Sequence, residues 1–361
     1  MNFNRYKIGI LKIYLILVII SSIIQLRNNT NINYSHQYNE NLYSNENVIE
    51  NAGTTLKIMS SITIVQDIVQ NIVGNLTSVD VIVSGTQDIH TFPGPTENQK
   101  IKLSEANIFF VMGLEDLEPW LNDTLNSLGS NAPLTIRLVN NSMLKYDDII
   151  QSYNPHVWLD PNIIKLMANN ITAELQLLDN SSENKVIYSQ NNQTYQEKLD
   201  QLINRIESNK TLLSGKKVVE NHPAFKYLLD LLGMVRVDAL EKIEGEEPTP
   251  SDIQRLINVV KEQDVDLLIN VQWADQNDFY EIARETKIKI AKLVPLIAGV
   301  DQNNNPITNY IQMIDYNLWA LNNPIEPPKT ISGYLFSFLL LAPLILIFEY
   351  YLYKKEKMKF F

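Results

Sequence analysis

The 361-residue sequence contains no cysteine and only four histidines. Without cysteine there is no disulfide framework, no cysteine-ligated zinc site and no cysteine for lipid attachment. A folded domain must therefore be held by its hydrophobic core, and 45% of the residues are hydrophobic. Acidic residues outnumber basic ones, which gives a formal net charge of −11. This charge argues against nucleic acid as a partner, because phosphates are bound by clustered Lys and Arg, and it suits the attraction of cations.

Two long runs near the ends of the chain lack charge. Residues 13–26 are apolar and follow three basic residues, which is typical of a signal peptide or signal anchor. No A-x-A-like cleavage site is evident, so both alternatives stay open for residues 1–27. Residues 331–348 are also uncharged, with tyrosines and the basic tail 354–361 after them. This second pattern predicts a transmembrane anchor at 331–353.

The basic flanks at both ends predict that the chain between them lies outside the cytoplasm, at the cell membrane. N-x-[ST] sequons, which can be glycosylated only on an exported surface, agree with this topology. Chance occurrence in an Asn-rich chain is the alternative. The sequons begin at Asn28, Asn33, Asn75, Asn122, Asn140, Asn170, Asn180, Asn192 and Asn209.

Strand-like and amphipathic helical segments alternate between the two apolar ends, which predicts an α/β fold with parallel sheets. A run without Gly or Pro at 183–213 interrupts the alternation and predicts a long connecting helix. The predicted fold is therefore two α/β domains joined by a long rigid helix, with terminal membrane segments. Its parts are a polar spacer (28–54), an N-terminal domain (55–182), the helix, a C-terminal domain (214–322) and a linker (323–330).

Helix boundaries in this scheme rest on local signals. Residues 117–128 are expected to be helical, as are residues 251–263. In "TPSDIQRLI", Ser251 is the expected N-cap, and Gln254 completes an S-x-x-Q capping box.

Three of the four histidines share an unusual setting. His90 in "GTQDIHTFPGP", His156 in "NPHVWLDP" and His222 in "VVENHPAFKY" each lie near a proline, which indicates loops at the ends of structural elements. Three imidazoles and one oxygen donor are an ordinary zinc site, and α/β folds commonly bind ligands at strand C-termini. Taken singly, each histidine could equally be a solvated or hydrogen-bonded loop residue.

Five segments lie in order over residues 56–321: "VIVSGTQDIHTFPGPT", "SEANIFFVMGLEDLEPWL", "NPHVWLDPNIIKLMANNI", "KKVVENHPAFKYLLDLLG" and "GEEPTPSDIQRLINVVKEQDVDLLI". Together they resemble the zinc and manganese substrate-binding proteins of ABC importers, the metal cluster A-I type. The resemblance implies a rigid two-domain receptor that holds one divalent ion between its domains and presents it to an ABC permease in the same membrane. It implies no catalytic cofactor, and it places His90, His156 and His222 on metal-ligand positions.

The sequence departs from this family at the ligands. Manganese-type members often carry Glu where this chain has His222, and imidazole favours Zn²⁺ as the cargo, with Mn²⁺ as the alternative. An acidic fourth ligand is often part of an "LDPL" phrase, which here reads "LVPL" with Val294, and Val271 stands where another Glu is common. Water or Asp275 is therefore the expected fourth ligand. The His/Asp/Glu-rich loop that members often carry between the first two histidines is missing.

Neighbouring residues receive simpler interpretations. Trp158 is expected to pack in the core, and Asp160 with Pro161 to begin a helix. Asp88 is expected to orient a ligand. Glu220 is expected to be a solvated strand-end carboxylate, with orientation of a ligand as the alternative. The acidic segment 241–250 is expected to be an exposed loop.

Two other functions compete with the metal receptor. The first is a surface adhesion or structural protein that keeps the fold without transport. The second is a zinc hydrolase, since three histidines and a water also form catalytic sites. No H-E-x-x-H motif or other placed general base supports catalysis, so a non-enzymatic receptor is the leading hypothesis.

Overall fold

The computed structural model describes residues 56–85, 87–242, 248–272 and 277–327, together with Ile347, Tyr350 and Tyr351. The predicted leader (1–27), spacer (28–54) and basic tail (354–361) lie outside the described residues, as do Asp275 and nearly all of the predicted anchor. Along the part that is described, no helix has both the length and the apolar character needed to cross a membrane.

The first lobe is built on a parallel sheet with the strand order β2-β1-β3-β4. Its central strand β1 is buried along its whole length, as expected for a strand covered by helices on both faces. The edge strand β4 is mostly accessible. The strands are β1 (Ile58–Ile62), β2 (Val79–Val83), β3 (Ile108–Val111) and β4 (Leu134–Arg137).

Helices cover this sheet much as the apolar spacing predicts. In α1 (Thr63–Val73) the buried side chains recur at helical spacing, and α2 (Glu97–Glu105) begins with a capping box of Thr96 and Gln99. However, α3 (Leu121–Leu128) begins later than predicted. Pro119 disfavours helical geometry at the preceding residue, so the chain forms turns up to that point.

A pair of long helices follows. As predicted, Asp160 caps α4 (Pro161–Leu178), accepting a hydrogen bond from the Asn162 backbone N–H. The connecting helix α5 (Ser182–Leu213) has the predicted extent. It packs on α1 and α4, and nearer its C-terminal end on α9 (Tyr310–Asn322). There Arg205 makes a two-pronged ion pair with Asp315 at 2.8 and 3.0 Å.

The second lobe repeats the α/β pattern around a parallel sheet with the order β10-β9-β7-β8. A small antiparallel hairpin, β5 (Lys145–Asp147) with β6 (Ser152–Asn154), precedes α4 in the chain. The elements of the second lobe are β7 (Lys217–Glu220), α6 (Lys226–Leu231), β8 (Val235–Ala239), α7 (Pro250–Glu262), β9 (Leu267–Val271), α8 (Asn277–Thr286), β10 (Ile290–Leu293) and α9 (Tyr310–Asn322).

The predicted start of α7 at Ser251 is wrong. Thr249 is the N-cap and Pro250 the first helical residue, and the capping box is formed by Thr249 with Asp252. Proline is favoured at the first helical position because its missing N–H has no partner there. The cap therefore lies immediately before Pro250.

One hydrophobic core runs continuously from the first lobe through α5 to one face of the second sheet. Val218 and Leu267 belong to it, while their neighbours Val219 and Leu268 point to the opposite face and join a smaller core with α7 and α8. The alternation of side chains along each strand thus ties the second sheet to both cores.

Candidate metal centre

The three predicted histidines lie together. His90 Nε2 is 3.3 Å from His156 Nε2, and His222 Nε2 is 3.4 Å from the same atom. One ring nitrogen from each histidine lies within 4.8 Å of the other two. His156 is buried, and the other two are half-buried. The arrangement is compact enough for a single cation to contact all three rings.

The topology explains this meeting of distant residues. His90 lies in the loop that follows β2, and His222 comes two residues after the end of β7. Both loops leave the carboxyl ends of parallel strands, one in each lobe, where α/β folds bind ligands. His156 comes two residues after the end of β6 and immediately precedes a short 3₁₀ helix at Val157–Leu159.

The ring of His90 is oriented by a backbone carbonyl. Its Nδ1 lies 3.0 Å from the carbonyl oxygen of Asp116, which can only accept a hydrogen bond. The loop bearing this carbonyl is held by Glu118, whose carboxylate accepts the backbone N–H groups of Met112 and Gly113. Asp88 acts differently from the prediction, since its carboxylate accepts the His90 backbone N–H and the Thr91 hydroxyl, not the ring.

The ring of His156 is oriented by Asn154. The Asn154 side-chain oxygen lies 3.0 Å from Nδ1 and also accepts the His156 backbone N–H at 3.1 Å. The amide orientation is fixed because its nitrogen donates to Asp147 and to the carbonyl of Pro223. Trp158 is fully buried, as predicted, with its ring centroid 5.2 Å from that of His156.

The ring of His222 is oriented by a carboxylate. Its Nδ1 lies 2.9 Å from Glu241 Oε2, and the Glu241 side chain is only 25% exposed. Such a carboxylate fixes the tautomer and raises the basicity of the opposite nitrogen. Glu241 begins the acidic segment that was expected to be a simple exposed loop. Because Glu241 follows β8 and lies far from His222 in the chain, the sequence around it does not predict this contact.

These three bonds determine what the centre can do. Each Nδ1 faces an acceptor, which favours a proton on that nitrogen and leaves Nε2 as the ligand atom of the neutral ring. Burial, together with the charges of His90, His222 and Arg236, lowers the pKa of His156 well below its ordinary value of 6.5. The His156 ring is therefore neutral at pH 7, the form that binds a metal.

A fourth ligand is not supplied by a carboxylate in the described part of the chain, where only the three histidines form the cluster. Val294 and Val271 are both buried apolar side chains. They occupy the two positions where members of the resembled family often carry an acidic residue. Asp275 lies outside the described residues.

The expectation that Glu220 is solvated is wrong. Its side chain is fully buried and pairs with Arg236, whose side chain is 6% exposed. The partner lies on the adjacent strand β8, sixteen positions along the chain. Only the pairing of β7 with β8 brings the two together.

Comparison with known proteins supports the fold and identifies the family. The family model "ZnuA: zinc-uptake complex component A, periplasmic" matches residues 58–323, well over half of the chain. The chain belongs to the ZnuA family. The match begins at β1 and ends just after α9, so both lobes and all three histidines fall inside the ZnuA region.

Individual relatives of this ZnuA-family chain carry different metals in their names. The manganese ABC transporter substrate-binding lipoprotein PsaA of Streptococcus pneumoniae is 27% identical, covering 74% of this chain and 88% of PsaA. The high-affinity zinc uptake system protein ZnuA of Bacillus subtilis is 23% identical, covering 76% and 89%. These names, like that of the family, describe substrate-binding and uptake proteins of metal transport and not enzymes.

Solved structures confirm the fold of two parallel-sheet α/β lobes. A ZnuA crystal structure matches with a TM-score of 0.63 at 25% identity, covering 74% of this chain and 98% of that one. The periplasmic zinc-binding protein TroA of Treponema pallidum gives a TM-score of 0.64 at 18% identity, with the same coverage.

Proposed function

We propose that this ZnuA-family chain is an extracytoplasmic receptor that captures one divalent metal ion, zinc in preference to manganese, and delivers it to an ABC permease in the same membrane. The observation that carries the proposal is the convergence of three Nε2 atoms whose Nδ1 partners hold the rings in the metal-binding tautomer. These ring nitrogens lie within 4.8 Å of one another, so one divalent cation can accept a lone pair from each.

The donor set supports zinc. Nitrogen donors suit Zn²⁺, whereas Mn²⁺ is better served by carboxylate and water oxygens. The names of relatives do not decide the matter, because PsaA is named for manganese and the Bacillus subtilis protein for zinc. Water or Asp275 would complete a tetrahedral site.

A peptide tether would keep the receptor close to its permease. PsaA is named a lipoprotein, but these 361 residues contain no cysteine for lipid attachment. We assign the tether to residues 331–353 and export to residues 1–27. The sequons would then face the outside, and Asn75, Asn122, Asn140 and Asn180 are exposed.

The first test is a competitive titration of the full chain, purified in detergent, with zinc and manganese. We expect one equivalent of zinc to bind tightly and in preference to manganese. His156→Ala should raise the zinc Kd by more than about 100-fold, because even partners of a ligand are worth about 10–100-fold.

His36→Ala is the matched control, since His36 is the fourth histidine and lies in the polar spacer. It should leave the Kd unchanged. If the intact chain binds zinc feebly, or if His156→Ala binds as well as the parent, the receptor proposal fails and the adhesion or structural role takes its place.

A further inference from the structure

The hairpin that leads into His156 is attached to the second lobe. The hydroxyl of Tyr227, on α6, accepts the backbone N–H of Lys145 at 2.9 Å and donates to the carbonyl of Asn154 at 2.9 Å. The Lys145 ammonium also lies 3.4 Å from Asp230 of α6 and over the Tyr227 ring. Both ends of the hairpin are thus joined to one side chain of the second lobe.

Beneath this attachment lies a buried ion network. Arg236 Nη1 donates to Asp147 Oδ2 at 2.7 Å, and its Nε donates to Glu220. The side chains are 6% exposed for Arg236, 1% for Asp147 and 0% for Glu220. Glu220 and Arg236 belong to the second sheet, while Asp147 belongs to the hairpin. Buried charges are costly to desolvate, so a network of this kind is weak support for stability and a candidate for conformational specificity.

Asn154 connects this network to the metal centre. Its side-chain nitrogen donates to Asp147 Oδ2 at 3.0 Å and to the Pro223 carbonyl at 2.8 Å, and its oxygen faces His156 Nδ1. Pro223 follows His222 directly. One buried amide therefore touches the ring of one ligand, the backbone beside another and the ion network.

We propose that Asn154, held in place by the network of Asp147, Arg236 and Glu220, is a positioning residue that fixes the tautomer of His156 and joins this ring to the second lobe. His156 and His222 then form a preassembled pair, and His90 from the first lobe adds the third nitrogen. This inference rests on the proposed function, because it concerns the same three histidines.

The test uses the full chain in detergent, with zinc Kd and histidine-selective ¹⁵N NMR as readouts. Four histidines give a spectrum simple enough to assign by substitution. In the metal-free parent we expect His156 to carry its proton on Nδ1. Asn154→Ala should shift His156 toward the Nε2-protonated tautomer and raise the zinc Kd about 10–100-fold. A change of tautomer is not expected from a general loss of stability.

Thr172→Val is the control, since it removes a buried hydrogen bond to the Ala168 carbonyl within α4. It should change neither readout. Asp147→Asn alone should raise the zinc Kd. Combined with Asn154→Ala it should raise the Kd no further than Asn154→Ala does alone, because the network acts through Asn154. Should Asn154→Ala prove not to fold, the tautomer of His156 in Asp147→Asn decides the matter in its place.

Several outcomes overturn the inference. These are a Kd within about twofold of the parent for Asn154→Ala, an unchanged Nδ1 tautomer, or additive effects of the two substitutions. Failure of the proposed function looks different: the parent chain itself then binds no zinc, or His156→Ala binds as well as the parent, while the metal-free tautomer still tests the role of Asn154.

Discussion

Single side chains differ in how far sequence could predict them. The three histidines were predictable because each stands in a segment that resembles family motifs. Their partners were not, since Glu241 and the Asp116 carbonyl reach His222 and His90 only through tertiary structure. Asn154 was predictable in part. A side chain two residues before a histidine can reach it locally, as the Asn154 oxygen does. Only the structure shows that the amide nitrogen is held by Asp147.

Asp67 provides a residue-scale prediction that is independent of metal. Its carboxylate accepts the backbone N–H of Tyr310, at the start of α9, and burial raises its pKa to about 7. The unfolded chain loses this proton at a lower pH, near 3.8. Stability is therefore lost as pH rises from about 4 to about 7 and then levels off.

Asp67→Asn should remove this penalty. We expect the variant to be more stable than the parent by about 2–4 kcal/mol at pH 8 and by only about 1 kcal/mol at pH 4.5. Urea denaturation of the metal-free chain at both pH values, followed by tryptophan fluorescence, gives the difference. An equal difference at the two pH values would contradict the assigned protonation.

At the scale of elements, the long amphipathic helices and the buried strands were predictable from periodicity. The missed elements are those whose pattern is weak. Strand β4 lies at a sheet edge with accessible side chains, and the hairpin strands are three residues each and largely polar. Such strands are stabilised mainly by the strands they pair with, so their own residues carry little hydrophobic periodicity from which to predict them.

The start of α7 gives an element-scale prediction. Thr249→Ala removes the side chain that accepts the Asp252 N–H, and it should lower the free energy of unfolding by about 1 kcal/mol. Ser251→Ala is the matched control and should change stability by only a few tenths of a kcal/mol, because alanine's higher helix propensity offsets the lost contact between the Ser251 and Thr249 hydroxyls. Urea denaturation of both variants tells the two apart, and equal losses would contradict the cap at Thr249.

For the whole molecule, sequence resemblance predicted the two parallel-sheet lobes, while nearly all of the proposed tether at 331–353 lies outside the described residues. Removal of residues 331–361 should release the protein from membranes into the alkaline-soluble fraction, whereas the full chain should stay with the lipid. An equal-length deletion within the polar spacer is the control and should remain membrane-bound. If the C-terminal deletion also remains in the membrane fraction, residues 1–27 hold the chain there.

The hydrophobic core that passes from the first lobe through α5 to the second sheet bears on how occupancy is communicated. Swinging the lobes apart would expose this core, at a cost of about 25 cal/mol for each Å² of apolar surface. If the core stays closed, loaded and empty forms differ only in the loops that carry the three histidines. Metal occupancy would then be recognised from the positions of those side chains and not from the angle between the lobes.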